Sequence, residues 1–191
     1  MATLSIFTSD DVRRVCTRIS HEIIERNNGS QNIVLVGLLT RGALVANRLA
    51  KIISEIENSD VQVYSLDITT SRDDLSVDIE DAAIANFDET KFPKLLTNDT
   101  GVDFSDSNIV IVDDVLFTGR SVRAAMDVIS KVSRPSKVEL AVLVDRGHRE
   151  LPIRADFVGK NLPTKRSERV NVLLQEIDGQ DGVDVEGLKI P

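Results

Sequence analysis

The chain has 191 residues, of which 41% are hydrophobic and 28% charged, and its formal net charge is −8. This length suits a single domain with a substantial buried core, and the composition is that of a soluble globular protein. The N-terminus has no basic flank before an apolar run, and no segment reaches the roughly 20 apolar residues that cross a bilayer, so neither a secretory signal nor a membrane span is expected. The single Cys16 lies among apolar positions and cannot form an internal disulfide, which favours a buried residue in a cytoplasmic protein.

The charge is unevenly distributed along the chain. Ten acidic residues and two lysines lie between Asp73 and Asp106, whereas seven Lys or Arg and three acids lie between Arg146 and Arg169. The acidic average therefore hides a basic region, which keeps nucleic acid among the candidate partners.

Helices and strands are predicted to alternate along most of the chain. Candidate N-caps at Thr8, Ser9 and Asp10 precede apolar residues at helical spacing, and this first helix should end near residues 27–29. Short apolar runs then predict strands at 33–36, 61–68, 109–112 and 138–144, with helices at 43–56 and 121–132. Such alternation predicts an α/β fold, in which helices flank both faces of a central parallel sheet.

Two segments lack this regularity. Residues of about 70–107 are polar, acidic and weakly periodic, and a stretch of this length indicates a functional lid, a hairpin arm or disorder. The acidic tail at about 175–191 is expected to be partly ordered at most.

The strongest chemical signal lies at 109–121, Ile-Val-Ile-Val-Asp-Asp-Val-Leu-Phe-Thr-Gly-Arg-Ser. Its apolar half predicts a buried strand that delivers Asp113 and Asp114 to the edge where open α/β sheets bind ligands. Gly119 permits a tight turn into a helix, whose N–H groups and the hydroxyls of Thr118 and Ser121 suit a phosphate monoester. The carboxylates suit ribose hydroxyls, directly or through Mg²⁺. A capped helix after a strand is the ordinary alternative, but the combined features favour a phosphate site.

This segment resembles the phosphoribosyl-diphosphate (PRPP) loop of the type I phosphoribosyltransferases. Further stretches at 13–27, 36–42, 66–74, 140–154 and 159–170 resemble one family, the bifunctional pyrimidine-operon regulator and uracil phosphoribosyltransferase (PyrR). The likeness spans nearly the whole chain and weakens in the acidic segment and the tail. It implies one phosphoribosyltransferase domain over 1–191, with a central parallel sheet, a small hood and a flexible lid or hairpin arm.

The resemblance implies that uracil and PRPP react to give UMP and diphosphate. It assigns catalytic roles to Asp113, Asp114, Arg41 and Arg72: the carboxylates hold the ribose hydroxyls and, through ribose or water, Mg²⁺, while Arg41 offsets the diphosphate charge and Arg72 begins the lid. The implied PRPP- and nucleotide-binding residues are Thr40, Arg41, Gly42, Asp113, Asp114, Val115, Leu116, Phe117, Thr118, Gly119, Arg120 and Ser121. Arg146 and Val170 match positions that contact the base, largely through main chain.

The family also binds a hairpin in leader messenger RNA when UMP is present, and it forms homodimers or homotetramers. The matching RNA-binding candidates are Thr17, Arg18, His21, Arg26, His148, Arg149, Arg154 and Lys160. On a helical wheel Thr17, Arg18 and His21 share the face opposite the apolar stripe, whereas Arg26 lies nearer to that stripe. A solvated helix face is the ordinary alternative for these residues.

The chain departs from the family most clearly in the lid. Ser71 replaces a common tyrosine, and residues 77–81 are apolar and acidic where the family carries lysines. An acidic lid is poorly suited to closing over diphosphate, which predicts weak catalysis with UMP binding intact. Three interpretations follow: a uracil enzyme that also regulates through RNA, a UMP-sensing RNA-binding regulator with vestigial catalysis, and a salvage phosphoribosyltransferase for another base with no RNA role. The matches at 145–154 and 167–170 favour the first two.

Overall fold

The computed structural model describes residues 2–68, 93–96 and 101–188. Arg72 and most of the expected lid therefore lie outside the described residues, and their roles stay predictions. In chain order the described elements are β1 Ala2–Phe7, α1 Ser9–Asn27, β2 Ile33–Leu38, α2 Arg41–Glu57, β3 Gln62–Leu66, β4 Lys94–Leu95, β5 Asn108–Leu116, α3 Arg120–Val132, β6 Lys137–Asp145, β7 Phe157–Asn161, β8 Arg169–Leu173, α4 Gln175–Asp178 and β9 Gly182–Leu188.

In the part of the chain that the structure describes, the main sheet has six strands in the order β4-β3-β2-β5-β6-β7, and every neighbouring pair is parallel. All six residues of β2 are buried, as are Ile109 to Val112 of β5. Strands covered on both faces need continuous apolar runs, and such runs marked these strands in the sequence. The predicted α/β fold with a central parallel sheet is confirmed.

Helices cover both faces of this sheet, each over its own apolar cluster. On one face α1 and α2 pack against the sheet through residues such as Ile19, Ile23 and Leu49, all at most 1% exposed. On the other face α3 contributes Val122 and Ile129 to a second cluster. Burying one such side chain contributes roughly 1.5–3 kcal/mol, so the two clusters hold the sheet between its helices.

The N-cap of helix α1 is Thr8, one of the three predicted caps. The Asp11 N–H donates to the Thr8 hydroxyl at 3.3 Å, and the Thr8 N–H donates to the Asp11 carboxylate at 3.0 Å. This reciprocal pair satisfies two N–H groups that the helix itself leaves unpaired. Cys16 is 2% exposed on the inner side of the helix, which confirms that it is a buried residue. Within the described ranges, every helix is too short or too polar to cross a membrane.

A second sheet of three antiparallel strands, β1-β9-β8, lies outside the predicted pattern. The sequence predicted a partly ordered tail after Gln175, yet β9 is the central strand of this small sheet. Arg48 of α2 explains part of the order, because its guanidinium lies 2.5 Å from Glu176 and 2.7 Å from Asp181. The partners are more than 120 residues apart in the chain, so no local pattern could reveal them.

Candidate functional site

The carboxyl ends of β2 and β5 lie side by side, with Gly37 paired to Val112. The turn after β2 consequently runs along the backbone of Asp113. A Cβ atom at Gly42 would lie 2.5 Å from the Val112 carbonyl oxygen and 3.0 Å from the Asp113 Cα, so only glycine fits there. The structure therefore brings together the two loops, 40–42 and 113–121, that sequence reasoning assigned to one ligand.

The two neighbouring carboxylates lie within β5, which runs to Leu116, four residues beyond the predicted strand. The Asp114 N–H donates to Asp113 Oδ1 at 3.0 Å, and the Val115 N–H donates to Asp114 Oδ1 at 2.9 Å. Burial raises the pKa of Asp114, while its hydrogen bond with Asp113 and the charge of Arg41 act in the opposite direction with less effect. A half-buried carboxylate at the carboxyl edge of a parallel sheet suits ligand hydroxyls or a divalent cation.

The turn after β5 leads directly into α3. Gly119 has φ +92°, a conformation that residues with a side chain rarely adopt, and it is the N-cap of this 13-residue helix. The first N–H groups of the helix have no partner within it and carry the positive end of its dipole. Together with the Thr118 and Ser121 side chains, these groups form a site that suits an anion such as phosphate. We call residues 117–121 the phosphate turn.

Arg41, at the start of α2, joins the main sheet to the small sheet. Its Nε donates to the Val172 carbonyl at 2.7 Å, and an Nη atom donates to the Asp178 carboxylate at 2.9 Å. Its side chain is nevertheless 37% exposed. The guanidinium thus stands between the loop after β2 and the segment β8–α4, where a bound anion could reach it.

A pocket of about 440 Å³ opens between the two sheets. Its lining residues are Arg41, Asp114, Arg169, Val170, Asn171, Val172, Leu173, Asp184 and Glu186. Asp184 and Glu186, on β9, were missed by sequence reasoning. Their alternation with the buried Val183 and Val185 is the period of two that predicts a half-buried strand, so this signal was available.

Strand β8 lines one side of the pocket and is an edge strand of its sheet. The Val172 carbonyl accepts from Arg41, which shows that this residue turns its polar backbone groups away from β9. In an antiparallel strand, residues two apart direct their backbone groups to the same side. The N–H and carbonyl of Val170 therefore face the same free edge, beside the pocket.

Arg146 is 7% exposed and organises the loop that precedes β8. Its guanidinium donates to the Thr164 hydroxyl at 3.1 Å and to the carbonyls of Lys165 and Glu168 at 3.0 and 2.7 Å. It also lies 4.2 Å above the centre of the Phe117 ring, and burial lowers its pKa. The side chain thus connects the loop at 164–168 with Phe117 of the phosphate turn. The base contact predicted for Arg146 would come through its main chain.

Four of the eight RNA-binding candidates lie on α1. The side chains of Thr17, Arg18 and His21 lie on its outer face, as the helical wheel predicted. Arg18 donates to the carbonyls of Val158 and Gly159 at 3.2 and 2.6 Å, and so covers part of the edge strand β7. Arg26 lies 2.8 Å from both Glu139 and Asp156.

The other four candidates lie on β7 and on the segment that precedes it. His148 Nε2 lies 2.5 Å from the Thr164 carbonyl oxygen, and the Arg149 guanidinium contacts several carbonyls inside the protein. The Lys160 ammonium lies 5.3 Å from the centre of the Phe7 ring, while Arg154 is exposed. The candidates therefore lie on α1, on β7 and on the segment before β7. Five of the eight, namely Thr17, Arg18, Arg26, His148 and Arg149, make side-chain hydrogen bonds or ion pairs within the protein.

Comparisons with known proteins agree with this geometry. The model of the Phosphoribosyl transferase domain family matches residues 4–172. The chain is 53% identical over 174 residues to the Bifunctional protein PyrR of Bacillus cereus (strain AH820) and, to the same extent, to that of Bacillus thuringiensis subsp. konkukian (strain 97-27); each alignment covers 91% of this chain and 92% of the relative.

Solved structures resemble the fold at much lower identity. A hypoxanthine phosphoribosyltransferase from Staphylococcus aureus aligns with a TM-score of 0.60 at 19% identity, covering 85% of this chain and 79% of the other. One from Trypanosoma cruzi, in complex with the product IMP, aligns with a TM-score of 0.59 at 17% identity, covering 83% and 76%. This likeness supports the fold alone, while the matches in sequence identify the family: the chain belongs to the phosphoribosyl transferase domain family and, within it, to the bifunctional PyrR proteins.

Proposed function

We propose that the protein forms UMP from uracil and PRPP, releasing diphosphate, and that it regulates pyrimidine genes by binding leader messenger RNA in response to UMP. One observation carries the enzymatic part: the turn at Thr40–Gly42 lies against the backbone of Asp113, where the Asp113–Ser121 loop begins, and Arg41 and Asp114 of these two segments line a pocket of about 440 Å³. A ligand in this pocket meets the Arg41 guanidinium and the Asp114 carboxylate, and the anion-binding N–H groups at the start of α3 follow within the same loop. PRPP has this distribution of phosphate, ribose and diphosphate groups.

In this proposal the phosphate turn holds the 5′-phosphate and the carboxylates hold the ribose. The N–H groups at the start of α3 donate to the phosphate oxygens, with Thr118 and Ser121 adding hydroxyl donors. Asp113 and Asp114 accept hydrogen bonds from the ribose hydroxyls. Positive charge grows on the ribose ring as diphosphate departs, and negative carboxylates nearby stabilise that charge.

Arg41 serves the leaving diphosphate. Its side chain is 37% exposed beside the turn at 40–42, so the guanidinium can turn towards an anion held there. Mg²⁺ fits the same region, because its usual ligands are one or two carboxylates together with phosphate oxygens and water. Among the described residues no group of three or more acids, histidines or cysteines could hold a metal ion, so most of the ligands would come from PRPP and water. When bound, Mg²⁺ would neutralise part of the charge on the departing diphosphate.

The free edge of β8 suits the base. Uracil presents a carbonyl, an N–H and a second carbonyl along one edge, and a strand edge offers the complementary N–H and C=O groups. Val170 lines the pocket with its backbone on this edge. Main-chain recognition fixes the pattern of donors and acceptors without a dedicated side chain, in keeping with the expectation that Arg146 and Val170 contact the base largely through main chain.

The RNA part rests on family membership and on the exposed α1 face. RNA binding would draw on phosphate contacts from basic side chains, and such contacts make affinity fall steeply with salt. We also propose that the protein is cytoplasmic and forms a homodimer or homotetramer. Light scattering of the purified chain would test the oligomeric state.

The first experiment supplies purified protein with uracil, PRPP and Mg²⁺ and follows UMP formation. Asp113→Asn with Asp114→Asn should lower kcat/KM about 10³-fold, because both groups act on the charge of the reacting ribose. Asp127→Asn is the matched control, since this acid lies on the exposed side of α3 and pairs only with the surface residue Arg123 among the contacts the structure describes there. It should retain the parental rate.

The outcomes separate the remaining interpretations. UMP formation that needs both acids supports the uracil enzyme. UMP binding without turnover would reject it in favour of a regulator with vestigial catalysis, and hypoxanthine or another base used in place of uracil would favour a salvage enzyme. A gel-shift titration of a leader transcript, with and without UMP and at two salt concentrations, tests the regulatory part; binding indifferent to UMP would reject it.

A further inference from the structure

Two carbonyl groups in and before the phosphate turn accept hydrogen bonds from the neighbouring segment 146–151. The Leu116 carbonyl accepts from the Arg146 N–H at 3.1 Å. The Thr118 carbonyl accepts from the N–H groups of Glu150 and Leu151 at 3.0 and 3.2 Å. One side of the loop is thus fastened to 146–151, and this leaves its other side for a ligand.

Arg149 adds a side chain to this arrangement. One Nη atom donates to the Phe117 carbonyl at 2.8 Å and lies 3.4 Å from that of Leu116. The other Nη donates to the Asp145 carboxylate at the end of β6, and Nε donates to the Ile153 carbonyl at 2.9 Å. A guanidinium carries five N–H donors in one rigid plane, so it can hold the ends of β5 and β6 and the 147–153 segment in a fixed relation.

Loop conformation matters here because phosphate binds to backbone N–H groups, which a flexible loop would present only part of the time. A loop that is already ordered spares the cost of ordering on binding. We propose that Arg149 is a positioning residue of the phosphate site. It holds the carbonyls of Leu116 and Phe117 on the side away from the ligand and so fixes the turn in its phosphate-binding conformation. The inference rests on the proposed function only in requiring that this loop binds a 5′-phosphate.

The proposal gives Arg149 a role different from that implied by resemblance, which placed it among the RNA-binding residues. Its side chain is 22% exposed, and its donors are directed into the protein. Any effect of its replacement on RNA binding should therefore act through the nucleotide site. Saturating UMP should then restore RNA binding to an Arg149 variant.

The test compares Arg149→Gln, Arg149→Lys and the control Arg166→Gln. Arg166 pairs with Glu150 of the same segment at 2.7 Å, but its side chain is 64% exposed on the solvent side. Calorimetry measures binding of UMP and of ribose 5-phosphate, which carries the 5′-phosphate without a base, and steady-state kinetics give KM for PRPP and kcat. Melting temperatures establish that each variant is folded.

Arg149→Gln should weaken UMP and ribose 5-phosphate at least tenfold and raise KM for PRPP more than it lowers kcat. Arg149→Lys keeps the charge but loses the planar fork, so it should resemble Arg149→Gln; Arg166→Gln should stay within twofold of the parent. Parental affinity in Arg149→Gln, or full rescue by lysine, would overturn the proposal. If Arg149→Gln does not fold, Arg149→Lys decides alone.

Failure of the proposed reaction has a different signature. A parent that binds ribose 5-phosphate but makes no UMP from uracil would reject the reaction while the Arg149 comparison stands. A parent that does not bind ribose 5-phosphate would overturn the inference itself, because the loop would not be a phosphate site.

Discussion

The phosphate edge of the main sheet and the basic surface around α1 and 146–160 are built in different ways. At the phosphate edge, backbone and glycine positions define the geometry, as the close approach of Gly42 to Val112 shows. At the basic surface, any RNA contact would depend on long side chains. Five of the eight candidates there already make side-chain hydrogen bonds or ion pairs within the protein.

This difference bears on how functional residues are assigned. A site made by backbone is specified by a short segment, so a motif is enough to find it. A surface made by side chains depends on partners from distant segments, and a matching residue can be structural instead. Arg26 illustrates this, because it lies 2.8 Å from the carboxylate of Glu139, whose side chain is 1% exposed.

The largest effect that would test the comparison is expected from Gly42→Ala. The added Cβ would lie 2.5 Å from the Val112 carbonyl oxygen, so the turn at 40–42 must move away from Asp113. A displacement of about 1 Å in a reacting group can cost 10²-fold, and we expect kcat/KM for PRPP to fall about 100-fold or more.

Asn47→Ala is the matched control, because this residue is exposed on the same helix, α2. It should leave kcat/KM for PRPP unchanged. Parental activity in Gly42→Ala would mean that the turn does not bind the diphosphate, and that the phosphate edge is less strictly defined by its backbone than the contacts indicate.

The second prediction concerns the basic surface. Arg26→Gln should lower the free energy of unfolding by about 1–2 kcal/mol, since the buried Glu139 loses one cation but keeps Lys137 at 2.7 Å. His21→Ala, on the outer face of α1, should change it by less than about 0.5 kcal/mol. Urea unfolding measures both values.

RNA affinity of the same two folded variants tests whether Arg26 and His21 contact RNA or serve the stability of the protein. We expect His21→Ala to weaken the RNA complex without loss of stability. An Arg26→Gln protein that is as stable as the parent, yet binds no RNA, would show that Arg26 contacts RNA and that its ion pairs contribute little.

Much of the fold could be predicted from the sequence because its strands are buried on both faces. The runs in β2, β5 and β6 gave strand positions, and the 109–121 segment located the phosphate turn. The small sheet escaped prediction because β1, β8 and β9 come from opposite ends of the chain. Its order depends on contacts such as that of Arg48 with Asp181, which connect distant segments.

The candidate site divides in the same way. Asp113 was found from a local motif and Gly42 from the family resemblance, whereas Asp184 and Glu186 line the pocket through the pairing of β9 with β8. The contacts of Arg149 with the loop carbonyls were also invisible, since an arginine in a basic segment has no local pattern that separates a structural role from a ligand-binding one.

The smallest effect, and the one most specific to the phosphate edge, is the response to pH. Burial raises the pKa of Asp114 above 3.8, against the smaller opposite effects of Asp113 and Arg41. The folded state therefore binds more protons than the unfolded state between the two pKa values, so stability should fall as pH rises through this window. Asp114→Asn should remove that pH dependence from the unfolding free energy.

Activity should change in the opposite direction over the same window. Only the charged Asp114 can stabilise the positive ribose, so kcat/KM for PRPP should rise with pH along an acid limb that lies above 3.8. Parallel measurements between about pH 4 and pH 7 should show the unfolding free energy falling while kcat/KM rises. If the parent and Asp114→Asn had the same dependence of stability on pH, the carboxylate would not be desolvated, and the phosphate edge would be as open to solvent as the basic surface.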